Sequence, residues 1–116
     1  MESFVSSGGE VLLATRNGLV VGFLAARRAA DEIEILNLAV LPEFRRKRFG
    51  RQLVEAALRK AAEAGARVAH LEVRCSNQAA IAFYEGCGFR PTGRRRGYYS
   101  NPLENALLME LALTSP

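Results

Sequence analysis

The chain has 116 residues, 49% hydrophobic and 24% charged, with a formal net charge of +4. That length supports one small core, so a single domain over 1–116 is expected. No apolar run approaches the roughly 20 residues that cross a bilayer, and "MESFVSSGGE" lacks the basic-then-apolar order of a secretory leader, so a cytoplasmic protein without a membrane role is expected. Two cysteines, Cys75 and Cys87, and a single histidine, His70, are too few for a zinc cluster, a disulfide framework or a protein-built metal site. The positive balance points to an anionic partner.

Val11 to Thr15 reads as a short strand. Arg16-Asn17-Gly18 follows as a tight turn, because Asn and Gly both tolerate the positive φ of a two-residue hairpin. Leu19 to Ala26 is the returning strand. Glu32 to Leu41 is a third, with Ile33, Ile35 and Asn37 on one face and Leu36, Leu38 and Val40 on the other, ended by Pro42. From Phe49 to Ala64 the apolar period lengthens to that of a helix: Phe49, Leu53, Ala57 and Ala61 recur, Val54 and Leu58 widen the stripe, and Gly65 supplies the stop. Val68 to Val73 is a strand. Ser76-Asn77-Gln78 offers a helix cap, and Ala79 to Glu85 is a short helix closed by Gly86. Phe89 onward and Ala106 to Leu113 are the last strands, separated by an irregular "RRRGYYSNPLEN". The order β-β-β-α-β-α-β-β describes an α/β (α+β) domain.

One stretch, "EFRRKRFGRQL", packs Arg45, Arg46, Lys47, Arg48 and Arg51 between a strand end and a helix start. Taken alone it is most simply a solvated basic face. A nucleic-acid patch is the weaker reading, since only Phe44 and Phe49 are available for stacking and Phe49 belongs to the helix stripe.

Three segments, "NLAVLPEFRRKRFGRQL", "LEVRCSNQAAIAFYEGCGF" and "RRRGYYSNPLENALLMEL", together resemble the GNAT acetyltransferase superfamily, closest to its branch that acetylates the N-terminal alanine of a ribosomal protein (the RimI type). The resemblance covers about Glu32 to Leu113. It implies the GNAT fold, a mixed and mostly antiparallel sheet flanked by helices, and an acetyl-CoA-dependent N-acetyltransferase needing no metal. In that family the basic loop binds the coenzyme A diphosphate through backbone N–H groups at a helix start, here Arg46, Lys47, Arg48, Phe49, Gly50 and Arg51. Arg48 stands where the family usually has its first glycine. If that position is left-handed, arginine costs roughly 1–2 kcal/mol there, which a phosphate pairing with the guanidinium offsets. The resemblance also assigns Leu38, Ala39 and Val40 to the pantetheine arm, on a strand that splays from its neighbour, and Asn77 to the cofactor, although Asn77 also reads as a plain helix cap.

The chemistry needs a neutral amine, a donor for the developing oxyanion and a proton for the departing thiolate. By resemblance Glu72 is the general base and Tyr84 the general acid. Their plain alternatives are an ion pair of Glu72 with Arg74 or Arg27 on an open sheet face, and core packing of Tyr84. An acyl-cysteine route through Cys75 has no paired base to support it. A main-chain α-amine is cheaper to deprotonate at neutral pH than a lysine, about 1 against 4–5 kcal/mol. Together with Tyr98 and Tyr99, in a segment resembling the branch's peptide-recognition region, this favours a protein or peptide N-terminus as acceptor. A small-molecule amine comes second; a non-catalytic acyl-CoA-binding module and a basic nucleic-acid binder are the contrasting classes. Family members usually carry two helices ahead of the first hairpin. The domain reads as N-terminally short by comparison, and a homodimer or a covering partner is expected.

Overall fold

A computed structural model of the chain describes residues 2–6, 11–45, 48–100 and 103–113, with side chains for 11–45, 48–96 and 104–113. Strands β1 (Glu2–Ser6), β2 (Val11–Arg16), β3 (Leu19–Ala29) and β4 (Glu32–Val40) come first. A single 3-10 turn (Pro42–Phe44) leads into α1 (Phe49–Glu63). Then follow β5 (Val68–Arg74), α2 (Gln78–Gly86), β6 (Arg90–Ser100) and β7 (Leu103–Ala112). The expected order runs from β2 to β7, and β1 adds a strand ahead of it. One sheet holds them in the order β1-β2-β3-β4-β5-β7-β6. Every neighbouring pair is antiparallel except β4 and β5. That parallel pair requires a crossover, and α1 supplies it.

Asn17 (φ 53°) and Gly18 (φ 82°) both take positive φ in the turn between β2 and β3, as a two-residue hairpin requires. A second turn at Ala30-Asp31 carries β3 beyond the expected Ala26, with Ala29 paired to Glu32. The β3–β4 register slips between Ala25 and Ala26, so that Ala25 faces Asn37 and Ala26 faces Ile35. Leu36 is the extra residue, and it is exposed. A bulge reverses the alternation beyond it. Leu38 and Val40 therefore pack against the same core as Ile33 and Ile35, not on the opposite face as simple alternation predicts.

That core is built from one face of the sheet and from α1. Leu53 and Val54 are fully buried and Phe49 nearly so, placing the helix stripe against Val21, Leu24, Ile35, Leu71 and Val73. Burying each such side chain contributes about 1.5–3 kcal/mol. α2 joins the same core through Ala80, Ile81, Phe83 and Tyr84. Its left-handed closing residue is Gly88 (φ 105°), two positions later than the expected Gly86. The segment expected to be irregular is mostly strand: β6 and β7 pair from Arg90↔Glu110 to Ser100↔Leu103, with slips at Pro91/Gly93 and Arg95/Tyr99. Ladder pairing with β7, which is anchored on β5, overrides the weak strand propensity of an arginine- and glycine-rich run.

The opposite face of the sheet is covered by no helix among the described residues. Its β4–β5 end is polar, with Arg27, Glu34, His70 and Glu72. Its β2–β3 end carries half-buried Val11, Leu13, Phe23 and Ala25.

Gly22 faces Val40 across the β3–β4 pair, and a Cβ there would meet the Ala39 carbonyl oxygen at 2.8 Å. Backbone cannot swing aside as a side chain can. Gly22→Ala is expected to lower unfolding stability by about 1–3 kcal/mol, read from urea denaturation.

Candidate active site

The parallel pair β4–β5 is short. Glu32↔Val68, Ile33↔Ala69 and Glu34↔His70 are its only pairs, although β4 continues to Val40 and β5 to Arg74. Beyond Glu34 and His70 the two strands diverge, each still bonded on its far side, to β3 and β7. The bulge at Leu36 bends β4 at the point of parting. The facing backbone edges around Leu38, Ala39 and Val40 thus lack a ladder partner, and such groups call for a hydrogen-bonding occupant.

The basic loop opens onto the wide end of this gap. Arg45 Nε donates to the Val40 carbonyl at 3.1 Å, tying the loop to the strand end. Arg48 is the N-cap of α1 and is left-handed, φ 68° and ψ 6°, with no side-chain cap bond. The position where the resembling family has glycine is therefore one whose backbone favours glycine. Arg46 and Lys47 lie outside the described residues. Phe49 turns its ring into the core, edge-on to Phe44 at 5.6 Å, so only its backbone can face a ligand. Gly50 presents bare backbone: a Cβ there would lie 3.4 Å from the Phe83 ring and 3.9 Å from Leu38. Arg48, Arg51, Gln52 and Glu55 line a surface cavity of about 440 Å³. The Arg51–Glu55 pair, at 3.6 Å and half exposed, stabilises little.

Glu72 sits on β5 two residues past the last β4–β5 pair, on the face away from the helices. With Arg27, Glu34, His70, Arg95, Leu108 and Glu110 it lines a groove of about 320 Å³. Glu72 is paired, but not with the expected Arg74 or Arg27. Arg74 Nη1 lies 3.2 Å from Glu104 Oε2, and Arg27 Nη2 lies 2.5 Å from Glu34 Oε1. The cation at Glu72 is Arg95, whose Nη2 is 3.0 Å from Oε1. Glu72 Oε2 is buried with no hydrogen-bond partner among the described residues.

Tyr84 lies on the other face. α2 is started by Asn77, whose Oδ1 accepts from the Ala80 N–H at 3.1 Å. The turn before it is held by Glu104, which accepts from the Ser76 N–H at 2.6 Å. Hydrogen bonds from the Ser76 hydroxyl and then its N–H, with Arg74 adding to them, hold the Glu104 carboxyl below its ordinary pKa. Tyr84 packs edge-on to Phe83 and Phe89, at 5.1 and 5.8 Å. Burial pushes its phenol up to about 12, with Cys87 adding to the shift. Tyr84 therefore keeps its proton at neutral pH. Burial also raises the Cys87 thiol, Arg51 opposing and Glu55 adding to the shift.

Glu72 and Tyr84 lie on opposite faces of the sheet, Glu72 in a groove with Arg95 and Tyr84 packed against the core. The Leu38–Val40 edge and the Arg48–Arg51 helix start belong to the strand and loop that lead from the parting. Asn77 stands at the start of α2 with one amide atom already used. Arg95 and Phe83 were not legible beforehand. Arg95 is one of three consecutive arginines, and only the β6–β7 register selects it. Phe83 reads from sequence as ordinary helix packing.

The sequence profile of the Acetyltransferase (GNAT) family matches residues 2–89. The chain belongs to the GNAT acetyltransferase family. It is 36% identical over 118 aligned residues to the [ribosomal protein bS18]-alanine N-acetyltransferase of Escherichia coli K12, covering 97% of this chain and 80% of that one. The crystal structure of the Escherichia coli ribosomal-protein-S18-alanine N-acetyltransferase superposes with a TM-score of 0.83 at 34% identity, over 95% of this chain and 74% of that one. The NatC complex bound to Gag peptide and CoA gives 0.80 at 28% identity, over 90% and 71%. This GNAT chain is an N-acetyltransferase with the GNAT fold, and the parted β4–β5 pair is the architectural feature its motifs surround.

Two measurements check the geometry. In a spectrophotometric titration, a tyrosine ionising near pH 12 should vanish in Tyr84→Phe. Because Tyr84 ionises later folded than unfolded, its contribution to stability is complete below about pH 10 and is lost as pH rises toward 12. Arg48→Gly should raise unfolding stability by about 1 kcal/mol, the relieved left-handed strain less the added chain entropy of glycine.

Proposed function

We propose that this GNAT chain transfers acetyl from acetyl-CoA to the α-amine at the N-terminus of a protein or peptide, acting in the cytoplasm. The observation that carries the reading is the unladdered gap between β4 and β5, with a carboxylate on one side of the sheet and a protonated phenol on the other. The names of the ribosomal-protein-alanine acetyltransferases among its relatives support the acceptor class.

The residues fit acetyl-CoA in a specific way. Backbone N–H groups from Arg46, Lys47, Arg48, Phe49, Gly50 and Arg51, at the positive end of α1, would hold the diphosphate, with the exposed Arg48 and Arg51 guanidinium groups adding charge. Leu38, Ala39 and Val40 would pair with the pantetheine amides as an added strand does, and a backbone N–H there would face the oxygen that gains negative charge. Asn77 has its amide nitrogen left to contact the cofactor. Acetyl-CoA supplies the thioester carbonyl and the thiolate leaving group.

Glu72 Oε2 takes a proton from the acceptor ammonium, directly or through one water, which frees the nitrogen lone pair for the carbonyl carbon. As the N–C bond forms and the C–S bond breaks, Tyr84 gives its proton to the sulfur. The second proton lost by nitrogen restores the phenol, and the proton on Glu72 passes to solvent. A single carboxylate suffices for an α-amine, whose pKa is near 7.7–8.0, better than for lysine near 10.4. The half-buried Val11, Leu13, Phe23 and Ala25 on the uncovered face suit a second copy of the chain, which sedimentation at micromolar concentration would detect as a dimer.

With acetyl-CoA and an alanine-starting peptide, thiol release is expected, and weaker release with a small amine. Glu72→Gln and Tyr84→Phe should each lower kcat by about 100-fold or more, with acetyl-CoA affinity by calorimetry unchanged. Wild-type turnover in both variants would overturn the assignments.

A further inference from the structure

We propose that Arg95 is a positioning residue that holds the Glu72 carboxylate in its reactive orientation; this rests on the reading of Glu72 as the base. The two carboxylate oxygens are treated differently by the fold. Oε1 is 3.0 Å from Arg95 Nη2. Oε2 is buried and without a hydrogen-bond partner among the described residues. An ionised carboxylate accepts at both oxygens, and a buried polar atom normally finds a partner. A structural ion pair would use both oxygens, or leave the second one in water. Here one oxygen is clamped and the other is kept dry and unpartnered, in a residue that lines the groove, which suits an atom that must receive a proton.

The clamp is also selective. Arg74 and Arg27, the arginines nearest Glu72 along β5 and across the groove, are paired with Glu104 and Glu34. Arg95 reaches Glu72 from β6, over β7, and lines the same groove. Its backbone is fixed by pairing with Ala106, the last pair before the ladder slips and resumes at Tyr99↔Glu104. The Arg95 side chain is 57% exposed against 13% for Glu72. The guanidinium therefore stands at the groove wall while the carboxylate sits beneath it. Freed from Arg95, the carboxylate can turn Oε2 away from the acceptor, which slows transfer without weakening the binding of either substrate.

The test is steady-state kinetics on the full chain with acetyl-CoA and an alanine-starting peptide. Arg95→Ala, at an exposed position, should lower kcat by about 10- to 100-fold and leave both KM values within about twofold. Arg95→Lys should recover part of the loss. In a Glu72→Gln background, Arg95→Ala should cause no further loss, since it acts through a carboxylate no longer there. Wild-type kcat in Arg95→Ala overturns the proposal, as does a raised peptide KM at unchanged kcat, which would make Arg95 an acceptor contact. Losses that multiply in the double variant overturn it too. Wild-type kcat in Glu72→Gln alone overturns the base assignment itself, and this proposal with it.

Discussion

The parting of β4 from β5 after Glu34↔His70 is the constraint on which the rest of the molecule depends. A parallel pair inside a sheet normally continues, because each added pair satisfies backbone groups that burial would otherwise strand. Here the bulge at Leu36 bends β4 away. The sheet stays one body because its core spans the breach: Ile35 and Leu24 on one side and Leu71 and Val73 on the other belong to the same cluster under α1. Side-chain burial holds together what the backbone ladder has released.

At the wide end, the loop from β4 to α1 divides each residue's labour between side chain and backbone. Phe49 is a core residue by its ring and a loop residue by its amide. Gly50 presents bare backbone beside Phe83 and Leu38, at distances where a Cβ would make ordinary contact. Arg48 tolerates a left-handed backbone that glycine would take freely, trading local strain for charge at a helix start. A run of arginines is elsewhere an ordinary solvated face; here Arg45 is tied to the end of an unladdered strand edge.

The sheet also sorts the two titratable groups. Strand alternation sends Glu72 to the face away from the helices, while α2 brings Tyr84 to the core face. The phenol is buried among Phe83 and Phe89, which keeps its proton on, and the carboxylate stands in a groove walled by arginines and glutamates. The sheet thus keeps the phenol and the carboxylate apart, in environments of different polarity.

Much of this was readable in one dimension. The hairpin at Asn17-Gly18, the stripe of α1 and the Asn77 cap are local, set by φ tolerance, periodicity and side-chain reach within a few residues. The motif around Glu72 and Tyr84 was readable by resemblance. The slip at Leu36 was not, so Leu38 and Val40 were expected on the wrong face: a bulge is decided by the partner strand, and no residue type announces it. A strand is expected from Phe89 onward, but the part of β6 from Arg94 reads as irregular, because its strand character comes from β7. The partner of Glu72 is the sharpest case. Three adjacent arginines are alike in sequence, and cross-strand register alone decides which one reaches a carboxylate on a strand two places away.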